Sequence, residues 1–280
     1  MPEVDVLAVA RVAPAMLERM QGPYRVHERL HESDPAAFAA VAPRVRAIVA
    51  SGDSRVDAGL LAQLPALQIV SVVGVGYDGI DVAAAKARGV TVTHTPGVLD
   101  DDVADLAIGL MLAWARQLVI GDRFVRAGQW AAGPLPLGRK VSGSRLGLVG
   151  MGRIGQAIAR RAQALDMHIA YTARSARPQL PYRYLPDAAA LAGESDFLVV
   201  ITPGGAATRH LIDAAVPAAP GSPGCPVNVA RGSVVDQAAL VQALRTGTIA
   251  GAAPDVFEGE PQVPQVLRVV YNEVLTPYIG

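Results

Sequence analysis

The 280-residue sequence predicts an α/β protein built on doubly wound parallel sheets. Short apolar runs alternate with helical patterns along the first hundred residues, at the spacing that parallel βαβ units need. The same alternation resumes after residues 146–155, where an apolar run meets Gly-x-Gly-x-x-Gly and a helical pattern follows. Such an order of strand, tight turn and helix is itself typical of a doubly wound sheet.

In the first hundred residues the apolar runs predict strands at Val4–Val9, around Val26, at Ala47–Val49, Ile69–Val73 and Val90–Val92. Helices are predicted between them at Pro14–Met20, Asp34–Ala42, Asp57–Gln63 and Val82–Arg88. Pro35 suits a first helical turn, Asp81 a cap and Gly89 a helix end. A long helix follows at Asp100–Leu118, and its acidic first turn suits the positive helix end. Its length lets it bridge two domains.

A loop rich in glycine and proline is predicted at Gly133–Gly143. After it, strands are expected at Leu146–Val149, Met167–Thr172, Phe197–Ile201, Val227–Val229, Ile249–Val256 and Val274–Thr276. Helical patterns cover Gln156–Ala162 and Gln237–Arg245, and either Ser233 or Asp236 could cap the second of these.

Composition excludes several classes of protein. Apolar residues make up 51% of the chain, which indicates a globular protein with buried cores. The 25 basic and 25 acidic residues cancel, and no basic stripe stands out, which argues against nucleic-acid partners and anionic membrane surfaces. The most apolar long run, Val103–Ile120, contains Asp105, Arg116 and Gln117 and is better explained as a buried helix than as a membrane span.

Two features favour a cytoplasmic protein. Cys225 is the only cysteine, so no internal disulfide is possible, as expected in a reducing compartment. The chain begins Met-Pro-Glu-Val-Asp, without the basic region that opens a signal peptide.

The three spaced glycines predict a dinucleotide site. Gly150 would allow the tight turn, Gly152 would let the backbone approach a pyrophosphate, and Gly155 would let helix and strand pack closely. The N–H groups at the helix start would then face the phosphates. The alternative is a tight turn without a ligand, but the apolar strands on both sides favour binding.

The end of the next strand predicts which dinucleotide is bound. An acid about 20 residues past the glycines would bind a ribose 2′-hydroxyl. Here the sequence reads Tyr-Thr-Ala-Arg-Ser, and Arg174 and Ser175 suit a 2′-phosphate instead. NADP(H) is therefore preferred. In the alternative, Arg174 is only solvated and both cofactors are used.

Polar residues follow other predicted strands, where ligands of open α/β sheets bind. Arg231 follows one strand, Asp255 ends another, and Glu260 lies in the loop after it. A guanidinium can bind a carboxylate through two hydrogen bonds and polarise a neighbouring carbonyl. A lone arginine after a strand is usually a surface residue, but the setting Asn-Val-Ala-Arg-Gly-Ser favours a functional one.

Several stretches together resemble the D-isomer-specific 2-hydroxyacid dehydrogenases, especially their glyoxylate/hydroxypyruvate reductase branch. These stretches are Val73–Asp81, Thr95–Leu99, Val103–Ala107, the glycine loop at 150–155, Asn228–Val235 and Asp255–Pro261. The resemblance implies a flavodoxin-like substrate domain at 1–97 and a Rossmann NAD(P)-binding domain at 98–280. It also implies NADPH-dependent reduction of a short 2-keto acid to the D-2-hydroxy acid, with no metal.

The resemblance implies residue roles as well. Val75 and Gly76 would offer backbone N–H groups to the substrate carboxylate, and Arg231 would bind that carboxylate and the keto oxygen. Glu260 would pair with a proton-donating histidine, and Asp255 would hold the nicotinamide amide. Further cofactor contacts would come from Arg153, Ile154, Thr202, Pro203, Thr208, Val229 and Ala230.

A homodimer built through the nucleotide domain is also implied by the resemblance, with Phe124–Gly138 as a candidate contact. Trp130 in that segment could equally be a core aromatic.

The sequence departs from the family at the proton donor. The family has a histidine in Thr-Pro-His-Ile-Gly, whereas this chain has Tyr278 there. Imidazole titrates near neutral pH and a phenol near about pH 10, so Tyr278 could donate a proton only if a cation lowered its pKa. Losing a matched acid typically costs a factor of roughly 10²–10⁴ in rate. The five histidines, which we expect to be surface or satisfied core residues, are His27, His31, His94, His168 and His210.

Other departures concern the fold. The chain stops at Gly280, where the family crosses back to the first domain, so that domain is expected to lack part of its cover. Prolines recur at Pro217, Pro220, Pro223 and Pro226, either as a polyproline ligand or as breaks in a helix and a strand start. Pro254 removes a hydrogen-bond donor from a predicted strand.

Two functional hypotheses follow. One is an NADPH-dependent reductase with impaired catalysis. The other is a cofactor-binding sensor or interaction protein without turnover. Tyr278 is the feature that separates them.

Overall fold

A computed structural model describes residues 4–219, 225–269 and 272–280. The chain divides into two compact units, Met1–Leu99 and Asp100–Gly280. Each unit contains one sheet whose paired strands all run parallel. The predicted α/β class with two doubly wound parallel sheets is therefore confirmed.

The first unit has a five-stranded sheet in the order β2-β1-β3-β4-β5, the flavodoxin-like order. Its strands are β1 (Val4–Ala8), β2 (Tyr24–Glu28), β3 (Val45–Ser51), β4 (Ile69–Val73) and β5 (Thr91–Thr93). Its helices are α1 (Pro14–Gln21), α2 (Leu30–Ser33), α3 (Pro35–Val41), α4 (Ala58–Ala62) and α5 (Val82–Ala87), with a 3₁₀ turn at Ala42–Arg44. Asp34, Asp57 and Asp81 cap three of these helices by accepting the N–H three residues further on.

The second unit has a six-stranded sheet in the order β11-β10-β9-β6-β7-β8, which is the Rossmann order. Its strands are β6 (Arg145–Val149), β7 (His168–Thr172), β8 (Arg183–Tyr184), β9 (Phe197–Val200), β10 (Cys225–Asn228) and β11 (Ala253–Pro254). Its helices are α6 (Asp100–Ala115), α7 (Leu118–Arg126), α8 (Arg153–Gln163), α9 (Ala188–Gly193), α10 (Gln237–Arg245) and α11 (Gln265–Val269), with 3₁₀ turns at Gln129–Ala132, Ala206–Thr208 and Gly232–Val234. Asp236, not Ser233, caps α10. Fully buried Leu146, Leu148 and Ile158 belong to the core between β6 and the helices.

The long helix predicted at Asp100–Leu118 ends early. It stops at Ala115 because Gln117 takes a left-handed conformation with φ 55°. A separate helix, α7, starts at Leu118 and is bent by 55° from the first. The bridging role predicted for the longer helix stays a prediction.

The last two predicted strands are also largely wrong. Of Ile249–Val256 only β11 forms, and Pro254, which cannot donate to a ladder, lies in this edge strand. Residues 274–276 form no strand. They run beside β11 through hydrogen bonds from Val274 N–H to Ala252 O (3.0 Å) and Thr276 N–H to Pro254 O (3.3 Å).

Of the four spaced prolines, Pro220 and Pro223 lie outside the described residues. Pro217 falls in a turn and not in a helix. Pro226 lies within β10, and the pairing of β10 with β11 begins one residue later, at Val227.

Among the described residues, no single helix has the length and apolar character needed to cross a membrane. Only α6 and α7 taken together, across their bend, meet those two criteria.

Candidate active site

The predicted site residues of the second unit follow neighbouring strands of its sheet. The glycine loop follows β6, Thr202 and Pro203 follow β9, Arg231 follows β10, and Asp255 follows β11. Since the strands are parallel and adjacent in the order β11-β10-β9-β6, these residues lie along one carboxyl edge. The strand order reverses at β6, and such a switch point is where open α/β sheets bind ligands.

The glycine loop has the geometry of a close backbone approach. Gly150 has φ 113°, and a Cβ there would overlap the carbonyl oxygen of Ile201. A Cβ at Gly155 would overlap the Gly150 carbonyl, so α8 packs directly on the end of β6. Gly152 has no atom within 4 Å of a Cβ position, which leaves open space in front of the backbone.

The start of α8 suits an anion. Its N-cap is Gly152, and no side chain caps its first N–H groups. Arg153 is exposed and its Nε donates to Asp100 Oδ2 at 3.1 Å. Ile154 is half-buried against the core.

The loop after β7 contains the predicted phosphate residues, Arg174 and Ser175, both exposed. Gly150 N–H donates to Thr172 O at 2.9 Å, which ties the glycine loop to the end of β7. The turn after β9 is closed by Thr208, whose hydroxyl donates to Pro203 O at 2.7 Å, and Thr202 is half-buried beside it.

Asn228, at the end of β10, shapes the turn that presents Arg231. Its Oδ1 accepts the N–H of Ala230 at 3.0 Å, and its Nδ2 donates to Arg231 O at 3.0 Å. Arg231 Nη1 donates to Ala230 O at 2.7 Å, while Val229 and Ala230 are buried. The sequence reasoning missed Asn228, although an asparagine that opens a turn commonly bonds the backbone two residues on.

Asp255 organises the end of the chain. It is only 1% exposed. Its carboxylate accepts the hydroxyl of Thr276 (2.6 Å) and the N–H groups of Ile279 and Gly280 (3.1 Å each). Its backbone carbonyl accepts the Tyr278 N–H at 2.8 Å. These bonds hold the backbone on both sides of Tyr278.

Tyr278 and Arg231 are brought together. The guanidinium carbon of Arg231 lies 5.7 Å from the ring centroid of Tyr278, which is within cation–π range. Tyr278 has a left-handed backbone with φ 55°, and its ring is 40% exposed. The aromatic residue at the predicted proton-donor position thus lies beside the cation predicted to bind substrate.

The loop after Asp255 packs against the segment after Arg231. A Cβ on Gly232 would overlap the backbone carbonyl of Phe257, so the two backbones touch at Gly232. Glu260 Oε1 accepts the N–H of Phe257 at 2.6 Å. This places Glu260 in the same loop, with its carboxylate fixing that loop's turn.

His210 is a further polar residue near this loop. Its Nε2 lies 2.6 Å from Glu258 Oε1, and Glu258 N–H donates to Gln237 Oε1 at 3.2 Å. His210 therefore anchors the loop after Asp255 through Glu258. No local pattern predicts this pair, because its members are 48 residues apart.

In the first unit, Val75 and Gly76 lie in the loop after β4. Two hydrogen bonds close its base, from Gly74 N–H to Thr95 Oγ1 (3.0 Å) and from Thr95 N–H to Gly74 O (2.9 Å). His94 Nδ1 lies 2.9 Å from Val75 O, and since a carbonyl only accepts, that nitrogen carries a proton. His94 fixes the loop, a role that the sequence reasoning missed.

Comparison with known proteins identifies a family for this chain. Residues 108–280 match the model of the NAD binding domain of D-isomer specific 2-hydroxyacid dehydrogenases. Glyoxylate/hydroxypyruvate reductase A HPR2 of Arabidopsis thaliana is 47% identical over 236 residues, 84% of this chain and 75% of the relative. The 2-ketogluconate reductase of Gluconobacter oxydans is 40% identical over 271 residues, 97% of this chain and 86% of the relative.

Solved structures give the same result. An NADPH-dependent glyoxylate/hydroxypyruvate reductase of Sinorhizobium meliloti, in complex with NADP and malonate, has a TM-score of 0.90 at 41% identity. The match covers 98% of this chain and 86% of that one. A 2-hydroxyacid dehydrogenase of Ketogulonicigenium vulgare has a TM-score of 0.87 at 37% identity, covering 99% of this chain and 88% of that one.

Proposed function

Because the chain belongs to the D-isomer-specific 2-hydroxyacid dehydrogenase family, we propose that it is an NADP(H)-preferring 2-keto acid reductase. Its substrate is a short 2-keto acid of the glyoxylate or hydroxypyruvate type, and its product is the D-2-hydroxy acid. One NADPH and one proton are consumed for each keto acid reduced. The names of the relatives support the substrate class, and the NADP complex of the Sinorhizobium meliloti reductase supports the cofactor.

The residues at the carboxyl edge fit the cofactor. The uncapped start of α8 and the open space at Gly152 suit a pyrophosphate. Arg174 and Ser175 suit a 2′-phosphate, and Thr202, Pro203, Val229 and Ala230 lie along the same edge. Bound there, the nicotinamide supplies the hydride for the reduction.

Substrate binding is assigned to backbone donors and one cation. Arg231 binds the substrate carboxylate and polarises the keto group, which favours hydride addition at the carbonyl carbon. Val75 and Gly76 are proposed as N–H donors to the carboxylate. Asn228 holds the turn of Arg231 in one geometry.

The observation that carries the mechanism is the position of the Tyr278 ring beside the Arg231 guanidinium. The keto oxygen must gain a proton as hydride arrives, and Tyr278 is proposed as its donor. A neighbouring guanidinium stabilises the phenolate that remains. Glu260 is proposed to act on Tyr278 through the loop that it shares with Asp255. Because phenol is a weaker acid than imidazole, turnover is expected to be slow.

Dimerisation is proposed through the segment Phe124–Gly138. Trp130 is 69% exposed, so it is not a core aromatic of the single chain. Val125 and Leu137 in the same segment are exposed as well, and several exposed apolar side chains in one segment favour a contact surface. We propose the cytoplasm as the compartment, because the single cysteine of the chain, Cys225, is buried and can form no internal disulfide.

The second candidate function is a cofactor-binding protein without turnover. Tyr278 favours it, since a family member without a matched acid retains its nucleotide site. Nothing in the glycine loop distinguishes this candidate from the first.

One sample can test both candidates. NADPH and NADH binding is followed by nicotinamide fluorescence, and turnover is measured with a panel of glyoxylate, hydroxypyruvate and longer 2-keto acids. Turnover with NADPH above that with NADH supports the reductase. Tight binding with no turnover of any keto acid favours the second candidate. Failure to bind either nucleotide contradicts both.

A further inference from the structure

A buried tyrosine holds the loop that follows β7. Tyr171 is 1% exposed, and its ring belongs to the core of the second unit. Its hydroxyl accepts the backbone N–H of Arg177 at 2.6 Å. The hydroxyl therefore ties the end of β7 to a residue six positions further along the chain.

The neighbouring strand contributes a second tyrosine. Tyr184 in β8 is paired in register with Tyr171, and their ring centroids are 5.5 Å apart. The Tyr184 hydroxyl donates to Ala173 O at 3.3 Å. Two hydroxyls from adjacent strands thus hold the two ends of residues 173–177, with the shorter bond at Arg177.

The loop at residues 173–177 is cationic. Arg174 is exposed and Arg177 half-buried, and among the described residues neither guanidinium has an ion-pair partner. Other arginines of this unit do pair, such as Arg145 with Asp196 and Arg183 with Glu194. Residues 173–182 contain no acid. Two unpaired cations three positions apart, on a loop fixed from the core, form a site for an anion with more than one negative charge.

We propose that Tyr171 is a positioning residue for the cofactor's 2′-phosphate. By fixing the Arg177 backbone, its hydroxyl sets the loop shape in which Arg174 and Arg177 both reach that phosphate. The discrimination of NADPH from NADH then depends on a hydroxyl that touches neither nucleotide. This inference rests on the proposed NADP(H) preference, and it adds Arg177 to the residues that carry it.

The test is Tyr171→Phe, which removes the acceptor and keeps the buried ring. We expect NADPH affinity to fall about three- to tenfold, the factor expected for one hydrogen bond, with NADH affinity unchanged. Adenosine 2′,5′-bisphosphate should lose affinity by the same factor, and 5′-AMP should lose none. Tyr182→Phe is the matched control, since among the described residues the Tyr182 hydroxyl has no hydrogen bond. Tyr184→Phe should act in the same direction but less, because its bond is longer.

Each outcome decides the proposal. Equal weakening of NADPH and NADH would give Tyr171 a purely structural role and overturn it. If the wild type prefers NADPH and Tyr171→Phe leaves the ratio of NADPH affinity to NADH affinity unchanged, the role of Tyr171 is overturned and the proposed NADP(H) preference stands. If Tyr171→Phe does not fold, the ratio in Tyr184→Phe decides, and no shift there counts against the proposal. A wild type with no preference for NADPH would overturn the proposed cofactor preference and, with it, this inference.

Discussion

The glycine loop and the C-terminal segment lie along the same sheet edge, but they depend on different parts of the chain. The loop at 150–155 presents backbone, and its geometry follows from glycines at three fixed positions. The segment at 276–280 presents one side chain, Tyr278, held in place by hydrogen bonds to Asp255. The proposed cofactor binding and the proposed proton donation therefore depend on different segments of the chain.

Among the variants that test this difference between the two segments, Tyr278→His is expected to have the largest effect. We expect kcat for glyoxylate or hydroxypyruvate to rise by about 10²-fold or more, because imidazole is an acid matched to neutral pH. The dissociation constant of NADPH should stay the same, since Tyr278 does not belong to the glycine loop. Steady-state NADPH oxidation measures the first quantity and fluorescence titration the second.

Tyr278→Phe is the control for that experiment. It keeps the ring beside Arg231 and removes the hydroxyl, so any wild-type turnover that uses Tyr278 should disappear. Equal rates for the wild type and both variants would show that the residue at 278 does not donate the proton.

The glycine loop can be tested with two alanine variants. Gly150→Ala should lower the free energy of unfolding by about 3 kcal/mol, because the new Cβ overlaps Ile201 O and the backbone is left-handed. Gly152→Ala should change it by less than about 0.5 kcal/mol, since nothing lies within 4 Å, but it should weaken NADPH binding at least about tenfold. Denaturant unfolding and fluorescence titration give the two readings. Normal NADPH binding by a folded Gly152→Ala variant would remove the loop from the cofactor site.

Local sequence signals predicted most of the fold. Asp34, Asp81 and Asp236 each accept the N–H three residues further on, and such capping residues can be recognised in the sequence as helix starts. The helix break at Gln117 had no such local signal, because apolar residues continue on both sides of it. Pro254 did carry a signal, because a residue without a backbone donor is tolerated on an edge strand, and β11 is the edge strand of its sheet.

The candidate site was predictable where it follows strand ends. Arg231 and Asp255 could be located because parallel strands end at one edge. The hydrogen bonds that hold the site together could not be predicted in this way. Asp255 bonds Thr276, which is 21 residues away, and His210 bonds Glu258, which is 48 residues away. No short window of sequence contains both members of such a pair.

Asp255→Asn tests whether the C-terminal segment depends on this acid. An amide offers one acceptor oxygen in place of two, and its NH₂ would face N–H donors of the tail. We expect a loss of about 2 kcal/mol in the free energy of unfolding, the size of a lost buried bond to a charged group. Asp122→Asn is the control. Asp122 is exposed, and its one ion-pair partner among residues 4–219, 225–269 and 272–280 is Arg126 on α7, so we expect less than about 0.5 kcal/mol there. Equal thermal midpoints for the two variants would contradict an organising role for Asp255.

The smallest expected effect concerns Glu273, three residues before the C-terminal segment. Both of its carboxylate oxygens are buried, and neither has a hydrogen-bond partner within the described part of the chain. Burial raises the pKa of Glu273 from 4.5 to about 8. Between these two values the folded chain binds a proton that the unfolded chain has released. Stability should therefore fall as pH rises from about 4.5 and level off above about 8.

Glu273→Gln removes this titration. Thermal midpoints of the variant and the wild type should nearly coincide at pH 5, and the variant should become the more stable of the two towards pH 8.5. The difference should reach about 1 kcal/mol, well below the full linkage value, because the side chain is only partly buried. A gap that does not vary with pH would show that Glu273 ionises normally. The C-terminal segment would then carry no pH dependence from this residue, and its contrast with the glycine loop would rest on Asp255 and Tyr278 alone.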